Sequence, residues 1–275
     1  MRNRGHGCRW RASLTLGGRL FRDRLSLQIR VALLPELAGD VSQSVCIVID
    51  VLRATTVIST AFERKCPCVY VAATHETARE FARSKGFLLC GETNGQKVED
   101  FDYGNSPIEF ATLDLSDKPI VLSTSNGTKA VKIVSGAQQV FLGAAVNIKS
   151  VAESAWEKAI EIDSDIIVVC AGTNAEFTLE DATVAGIYVE NLVAQAGAWT
   201  MPKLSDSAIA AHWLWEREPN LLRGWMQGNH ACHLADIGFG EDLGFCATLN
   251  QNKNVPTLVL QTDIEMVEAP VVLIR

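Results

Sequence analysis

The chain has 275 residues, 48% of them hydrophobic and 21% charged, and a formal net charge of -7. This composition excludes a mostly disordered chain, and no apolar run is long enough to cross a bilayer. Its eight cysteines lie partly inside apolar strand-like runs and do not form a disulfide framework. We therefore expect a folded protein with reduced thiols, outside the membrane and in the cytoplasm.

The start of the chain differs in charge from the rest. Residues 1–30 carry eight arginines and one acid, Asp23, so their local charge is +7 and the remainder carries -14. An Arg-rich start fits a transit peptide or a disordered extension, and the lack of an amphipathic period favours the extension. We assign residues 1–28 to this basic extension and 29–275 to one domain, whose acidic character argues against nucleic-acid binding.

Apolar strand-like runs alternate with helical patterns between residues 44 and 172. The predicted strands lie at residues 45–50, 69–72, 87–90, 120–123, 140–142 and 166–171. The predicted helices lie at residues 54–64, 75–85, 128–135 and 148–160. This alternation predicts an α/β fold with a mostly parallel sheet covered by helices on both faces.

The C-terminal portion is predicted to be rich in helices. Thr178 is the expected N-cap of a long helix, and the pattern stays helical from residue 206 to residue 246. Residues 255–260 form the last predicted strand. Three tryptophans of this region are expected to pack against the sheet: Trp213, Trp215 and Trp225.

Four of the predicted strands end in small polar clusters, at residues 50–56, 91–92, 123–128 and 172–174. Ligands of an open α/β sheet bind beyond the carboxyl ends of its strands, so we expect these clusters to meet at one crevice. They combine hard oxygen ligands with backbone suited to anions. The sequence therefore predicts a metal-assisted reaction on an oxyanion, with phosphate favoured.

Asp50 ends the first buried run, and Arg53, Thr55 and Thr56 follow it. An acid and a guanidinium group at a buried strand end are costly unless they are paired or used. Arginine offers a planar fork to phosphate, and aspartate can hold a divalent cation. The alternative is that Asp50 or a threonine only caps the following helix.

A long turn-rich loop follows the third predicted strand. Glu92 comes directly after that strand, and Asn105 lies in a segment rich in Asp and Asn. These residues either form only their own turns or belong to an active-site loop. In the second case, Glu92 is a metal ligand or base and Asn105 contacts the substrate.

Residues 123–128, Ser-Thr-Ser-Asn-Gly-Thr, have the features of a phosphate cradle. Gly127 permits close approach of the backbone, Ser123 and Thr128 offer hydroxyl groups, and a helix starts after Asn126. The Walker pattern and the dinucleotide fingerprint are both missing from the chain. An ordinary N-cap explains this segment equally well.

Two further pairs of residues allow a structural or a functional interpretation. Glu180 and Asp181 either cap the long helix or lie beside the crevice, where they bind a metal or relay a proton. His230 and His233 have a spacing compatible with a metal site, but no further ligand lies near them in the sequence. We give this second pair little weight.

Together, these motifs resemble the 2-phosphosulfolactate phosphatase family of coenzyme M biosynthesis. The matching segments are residues 48–56, 91–92, 101–107, 123–128, 170–174, 180–182, 238–242 and 255–256, in this order. The resemblance implies an α/β enzyme that uses Mg²⁺ to hydrolyse a small anionic substrate, 2-phospho-3-sulfolactate, to 3-sulfolactate and phosphate. Ser125 stands where the family usually has Thr, and Ala175 where Gly is common.

With this resemblance, we expect Asp50, Arg53 and Glu92 to carry catalysis. Asp50 and Glu92 hold the Mg²⁺, with Glu180 and Asp181 as further candidate ligands. Arg53 and residues 123–128 hold the phosphate, and Thr55, Thr56 and Asn105 also bind the substrate. The nucleophile stays open between Asp50 and water, and the lack of an Asp-x-Asp pattern favours water. Another phosphorylated hydroxy acid as substrate, a non-catalytic anion-binding module and a homo-oligomeric state also stay open.

Overall fold

A computed structural model describes residues 27–124, 126–196, 201–259 and 271–275. Its strands are β1 (Gln28–Ala32), β2 (Ser44–Ile49), β3 (Val69–Ala72), β4 (Leu88–Thr93), β5 (Gln96–Lys97), β6 (Ile120–Ser123), β7 (Gln139–Gly143), β8 (Asp165–Cys170), β9 (Lys203–Leu204), β10 (Leu258–Val259) and β11 (Val271–Ile274). Its helices are α1 (Ala54–Glu63), α2 (His75–Lys85), α3 (Pro107–Ala111), α4 (Gly127–Val134), α5 (Ile148–Ile162), α6 (Leu179–Gln195), α7 (Asp206–Arg217), α8 (Leu221–Trp225), α9 (Asn229–Leu234) and α10 (Gly240–Cys246). Residues 1–26 of the predicted basic extension lie outside the described residues, and β1 already begins at Gln28.

The predicted α/β class is confirmed, and the strands form two sheets. The first sheet is parallel, in the order β7-β2-β8-β1-β9. The second has the order β10-β11-β3-β6-β4-β5, with β3, β6 and β4 parallel and antiparallel strands at its two edges. Strands β3, β4 and β6 come from one continuous stretch of chain between β2 and β7 of the first sheet.

Alternate residues of β2 face two different cores. Ile47 and Ile49 pack in a core with α5, α6 and α7, whereas Cys46 and Val48 pack in a core that includes α1, α4 and the second sheet. A third, smaller core on the other side of the second sheet includes Val121 and residues of α2. Strands β2, β7 and β8 of the first sheet are buried on both faces, which explains their continuous apolar runs.

The helix-rich C-terminal portion is also confirmed, with five helices from α6 to α10. Trp225 is fully buried and Trp215 packs partly against the core, but Trp213 is 64% exposed, so its predicted packing was wrong. Trp213 lies on α7, whose buried positions are the small residues Ala208 and Ala211. No helix in the described ranges combines the length and apolar character that a membrane crossing requires.

Candidate active site

Polar residues from both sheets meet at one crevice of about 90 Å³. It is lined by Asp50, Leu52, Arg53, Glu92, Asn94, Gly95, Asn105, Thr124, Asn126, Thr173, Asn174, His230, His233 and Leu234. The strand-end turns after β2, β4, β6 and β8 all contribute, together with α9. Five of the predicted site residues, far apart in the sequence, therefore share one space: Asp50, Arg53, Glu92, Asn105 and Asn126.

Asp50 is a buried carboxylate at the end of β2, 7% exposed. The Thr55 hydroxyl group donates to its carbonyl oxygen, and the Ala54 N–H lies 3.3 Å from its Oδ1. Burial raises the pKa of Asp50 to about 6, and the charges of Glu92 and Glu180 act in the same direction. The ionised form is therefore unfavourable here, and a cation beside it would relieve that cost.

The first residue of α4 has to be small because it lies against Asp50. A Cβ atom added to Gly127 would lie 2.9 Å from Asp50 Oδ2. Only glycine thus allows the start of α4 to approach the carboxylate this closely. Gly127 of the predicted cradle therefore lies against Asp50, whose pKa is raised by burial.

Arg53 is held from several sides and is only 2% exposed. Its Nη1 donates to Asp242 Oδ2 at 2.7 Å, its Nη2 donates to the Gly95 carbonyl, and its guanidinium lies 4.1 Å from the centre of the Phe239 ring. Asp242 also accepts a hydrogen bond of 2.7 Å from Ser106. Asp242 and Phe239 were missed as individual residues, although the segment 238–242 was among those that carried the resemblance.

Four hydroxyl groups of the predicted site are used inside the protein. Those of Thr55, Thr56 and Thr128 each donate to a backbone carbonyl at 2.9 Å, and Ser123 Oγ lies 2.9 Å from His75 Nδ1. None of these four residues lines the crevice. They shape the turns that surround it. Ser125 lies outside the described residues.

Of the asparagines that line the crevice, two were predicted, Asn105 and Asn126. Asn105 is buried, and its Oδ1 has no hydrogen-bond partner. Asn126 precedes α4, and its Oδ1 accepts from the Asn174 N–H at 3.3 Å. A buried amide oxygen without a donor is costly, so Asn105 has an unused acceptor for a ligand or water.

Asp181 connects two of the strand-end turns. Its Oδ1 accepts from the Val51 N–H at 2.9 Å, and its Oδ2 accepts from the Gly172 N–H at 3.0 Å. Burial raises its pKa well above the usual value, and the nearby charges of Asp50 and Glu180 add to that rise. Both oxygens are engaged with the backbone, which indicates a structural role.

Glu180 is paired with His230, a residue for which the sequence offers little indication of function. Its Oε1 lies 2.6 Å from His230 Nδ1, while its Oε2 is buried without a partner. Burial alone would lower the pKa of His230, but Glu180, Asp50 and Asp181 outweigh it and raise that pKa. Thr178 is the N-cap residue as predicted, yet its hydroxyl group makes no capping bond and is also unpartnered.

The donors in the crevice fit a small hard cation by their chemistry. Asp50 and Glu92 offer carboxylate oxygens, and Asn105 offers its unpartnered amide oxygen. Across the described ranges, no group of three or more His, Cys, Asp or Glu side chains is arranged to hold a metal ion. Mg²⁺ typically uses one or two carboxylates and completes its shell with water and phosphate oxygens. The crevice matches that mode of binding.

Comparison with known proteins identifies the family. Residues 32–261 match the family described as 2-phosphosulpholactate phosphatase. A protein named probable 2-phosphosulfolactate phosphatase from Thermotoga petrophila is 38% identical over 214 residues, which cover 78% of this chain and 88% of its own. A relative of the same name from Carboxydothermus hydrogenoformans is 34% identical, over 88% of this chain and 98% of its own. Another, from Clostridium novyi, is 33% identical, over 74% of this chain and 83% of its own. The chain belongs to the 2-phosphosulpholactate phosphatase family.

Proposed function

We propose that this chain is a magnesium-dependent phosphatase that hydrolyses 2-phospho-3-sulfolactate to 3-sulfolactate and phosphate. The observation that carries the proposal is the convergence of Asp50, Glu92, Asn105 and Asn126 in one crevice. The names of the relatives support the choice of substrate, and the oxygen-rich crevice supports a phosphoryl reaction. The free thiols of the described cysteines suit the cytoplasm as its location.

Asp50 and Glu92 are the proposed ligands of Mg²⁺. When bound, the ion would polarise the phosphoryl group and lower the pKa of the attacking water. Glu180 and Asp181 are left out of the ligand set because the first pairs with His230 and the second bonds the backbone with both oxygens.

The phosphate is proposed to lie at the start of α4. Backbone N–H groups at a helix N-terminus attract an anion, and Asn126 and Thr124 line the crevice at that point. Arg53 places a positive charge beside this position, held there by Asp242 and the Gly95 carbonyl. The surrounding turns are stabilised by hydrogen bonds of the hydroxyl groups of Thr55, Thr56, Ser123 and Thr128.

The direct test is release of phosphate from 2-phospho-3-sulfolactate across a Mg²⁺ titration. We expect Asp50→Asn to lower kcat/KM by at least about 10²-fold, because the variant loses the charge that holds the cation. Asp100→Asn is the matched control, since Asp100 is exposed and pairs with Arg79 outside the crevice. Full activity of Asp50→Asn would remove Asp50 from the site.

The same assay tests the substrate and the nucleophile. With 2-phospholactate we expect slower turnover, because this ester lacks the sulfonate. A phosphorylated protein trapped by acid quench would contradict direct attack by water and assign the nucleophile to Asp50.

A further inference from the structure

A larger cavity, of about 420 Å³, adjoins the crevice. It lies between the β8–α6 turn, the start of α6 and the segment from α8 to α9. Four residues line both spaces: Thr173, Asn174, His230 and His233. If the phosphate occupies the crevice, the organic part of the ester has this adjoining cavity to occupy, and His230 lies where the two parts meet.

The orientation of His230 is set by Glu180. Its Nδ1 lies 2.6 Å from Glu180 Oε1, and Glu180 is only 1% exposed. An ionised carboxylate only accepts hydrogen bonds, so Nδ1 is the donor in this pair. The other ring nitrogen, Nε2, has no protein partner within the described residues. In the protonated ring Nε2 also carries a proton, and that proton is available to a ligand.

We propose that His230 is the general acid of the reaction and that the leaving group occupies the larger cavity. This rests on the proposed function. Water oxygen bonds to phosphorus, and the bond between phosphorus and the ester oxygen breaks with its electron pair on that oxygen. The ester oxygen takes the proton from His230 Nε2 and leaves as the free hydroxyl group. The water's protons stay on the phosphate, and the neutral His230 regains a proton from solvent.

The charges around His230 favour the protonated ring that this step needs. Glu180 and Asp181 face it from α6, and Asp50 faces it from the end of β2. On its own helix, His233 lines the same two spaces. Burial lowers the pKa of the ring, but the carboxylates outweigh that effect and raise it, which favours the protonated form.

The test compares two phosphate esters whose leaving groups differ in their need for a proton. 2-Phospho-3-sulfolactate releases a basic alkoxide, whereas 4-nitrophenyl phosphate releases a stable phenolate. We expect His230→Gln to lower kcat on the first ester about 10²- to 10³-fold and on the second less than about 5-fold, since general acid catalysis contributes about 10²–10⁴. Glutamine keeps a hydrogen bond to Glu180 but has no acidic proton.

His233→Gln is the matched control. His233 lines the same spaces, but its Nε2 lies 3.4 Å from the Asn94 carbonyl, and among the described residues it has no carboxylate partner. We expect this variant to leave the ratio of the two kcat values unchanged. Circular dichroism of both variants shows whether each retains its fold.

Two outcomes would overturn the proposal. One is that His230→Gln lowers kcat equally on both esters, which would mean that His230 binds the substrate or positions Glu180. The other is a pH profile in which kcat on 2-phospho-3-sulfolactate falls at alkaline pH in His230→Gln as it does in the wild type, because the fall then comes from another group. This measurement tests the proposal even if 4-nitrophenyl phosphate is a poor substrate. A wild type inactive on 2-phospho-3-sulfolactate would instead contradict the proposed function.

Discussion

Ala175 adopts a backbone conformation that suits glycine. Asn174 and Ala175 have φ values of 53° and 62°, and reciprocal hydrogen bonds of 3.0 and 2.9 Å between Thr173 and Glu176 close the turn. Two-residue turns with positive φ at both central positions favour Asn-Gly, because a Cβ atom is strained there. Asn174 fits this preference and Ala175 does not.

We therefore expect Ala175→Gly to stabilise the protein by about 0.5–1 kcal/mol, since relief of the strain exceeds the added entropy of the unfolded chain. Thermal or urea unfolding would measure the shift, which corresponds to roughly 1–4 °C in Tm. Ala175→Val is the opposite variant, because a β-branched residue is disfavoured at positive φ, and it should lower the midpoint. Equal midpoints for all three proteins would contradict the strain.

Asp50 costs stability in its ionised form. Its pKa rises from about 3.9 in an unfolded chain to about 6 in the fold, chiefly through burial. The folded state therefore binds the proton more tightly, and stability falls as the pH rises from about 4 to about 6. Two pKa units correspond to on the order of 3 kcal/mol.

Because asparagine resembles the protonated acid, Asp50→Asn should be more stable than the wild type at pH 7 and similar at pH 4. Urea unfolding in a chelator at the two pH values measures the difference. Asp100→Asn is the control: its hydrogen bond with Arg79 lowers the pKa of Asp100, so no gain is expected at pH 7. A pH-independent effect of Asp50→Asn would contradict the assigned pKa.

At the scale of elements, α10 is attached to the turn after β2 by a buried ion pair. Arg53 and Asp242 are 189 positions apart and both nearly inaccessible. Ser106, at the start of α3, bonds the same carboxylate. This small network joins the C-terminal helices to the crevice, and it places a fixed positive charge there.

Removing one partner of a buried pair leaves the other charge unpaired. Asp242→Ala should therefore destabilise the protein by about 3–5 kcal/mol, as measured by urea unfolding. Replacing both partners, with Arg53→Met and Asp242→Leu, should recover much of that loss. Asp100→Ala breaks the exposed pair with Arg79 and should leave the midpoint nearly unchanged. An equal loss of stability in Asp100→Ala would mean that burial of an ion pair does not determine the cost of breaking it.

Local patterns in the sequence predicted many elements but not how they pair. The helix His75–Lys85 was predicted with both ends. In the structure, Thr74 caps its start and Gly86, with a φ of 69°, ends it. Strand β1 was not predicted, because it follows the arginine-rich start and itself contains Gln28 and Arg30. The division of the strands into two sheets was not predicted either, because an apolar run does not specify which strand it pairs with.

The same limit applies to the site. Asp50, Glu92, Asn105 and Asn126 could be predicted because each stands in a polar cluster at the end of an apolar strand or in the loop after it. His230 could not, because its role depends on Glu180, which lies 50 positions away on another helix. A sequence also does not tell which way a hydroxyl group turns, and Thr128 turns to the backbone.

At the scale of the whole molecule, the crevice joins the two sheets. Asp50 follows β2 of the first sheet, and Glu92 belongs to β4 of the second. A ligand that bridges these carboxylates contacts both halves of the structure at once. It therefore stabilises the folded state as a whole, because the unfolded chain does not bring these groups together.

We expect Mg²⁺ with inorganic phosphate to raise Tm more than either alone, since each completes the binding shell of the other. At a free concentration about 100 times Kd, binding adds about 2.7 kcal/mol, or roughly 5–10 °C in Tm for a protein of this size. Glu92→Gln should lose most of this shift, whereas Glu99→Gln, an exposed glutamate of the following loop, should keep it. Hydrogen exchange should slow in the turns after β2 and after β4 together. Protection confined to one sheet would mean that the ligand does not bridge Asp50 and Glu92, and the proposed cation site would then be wrong.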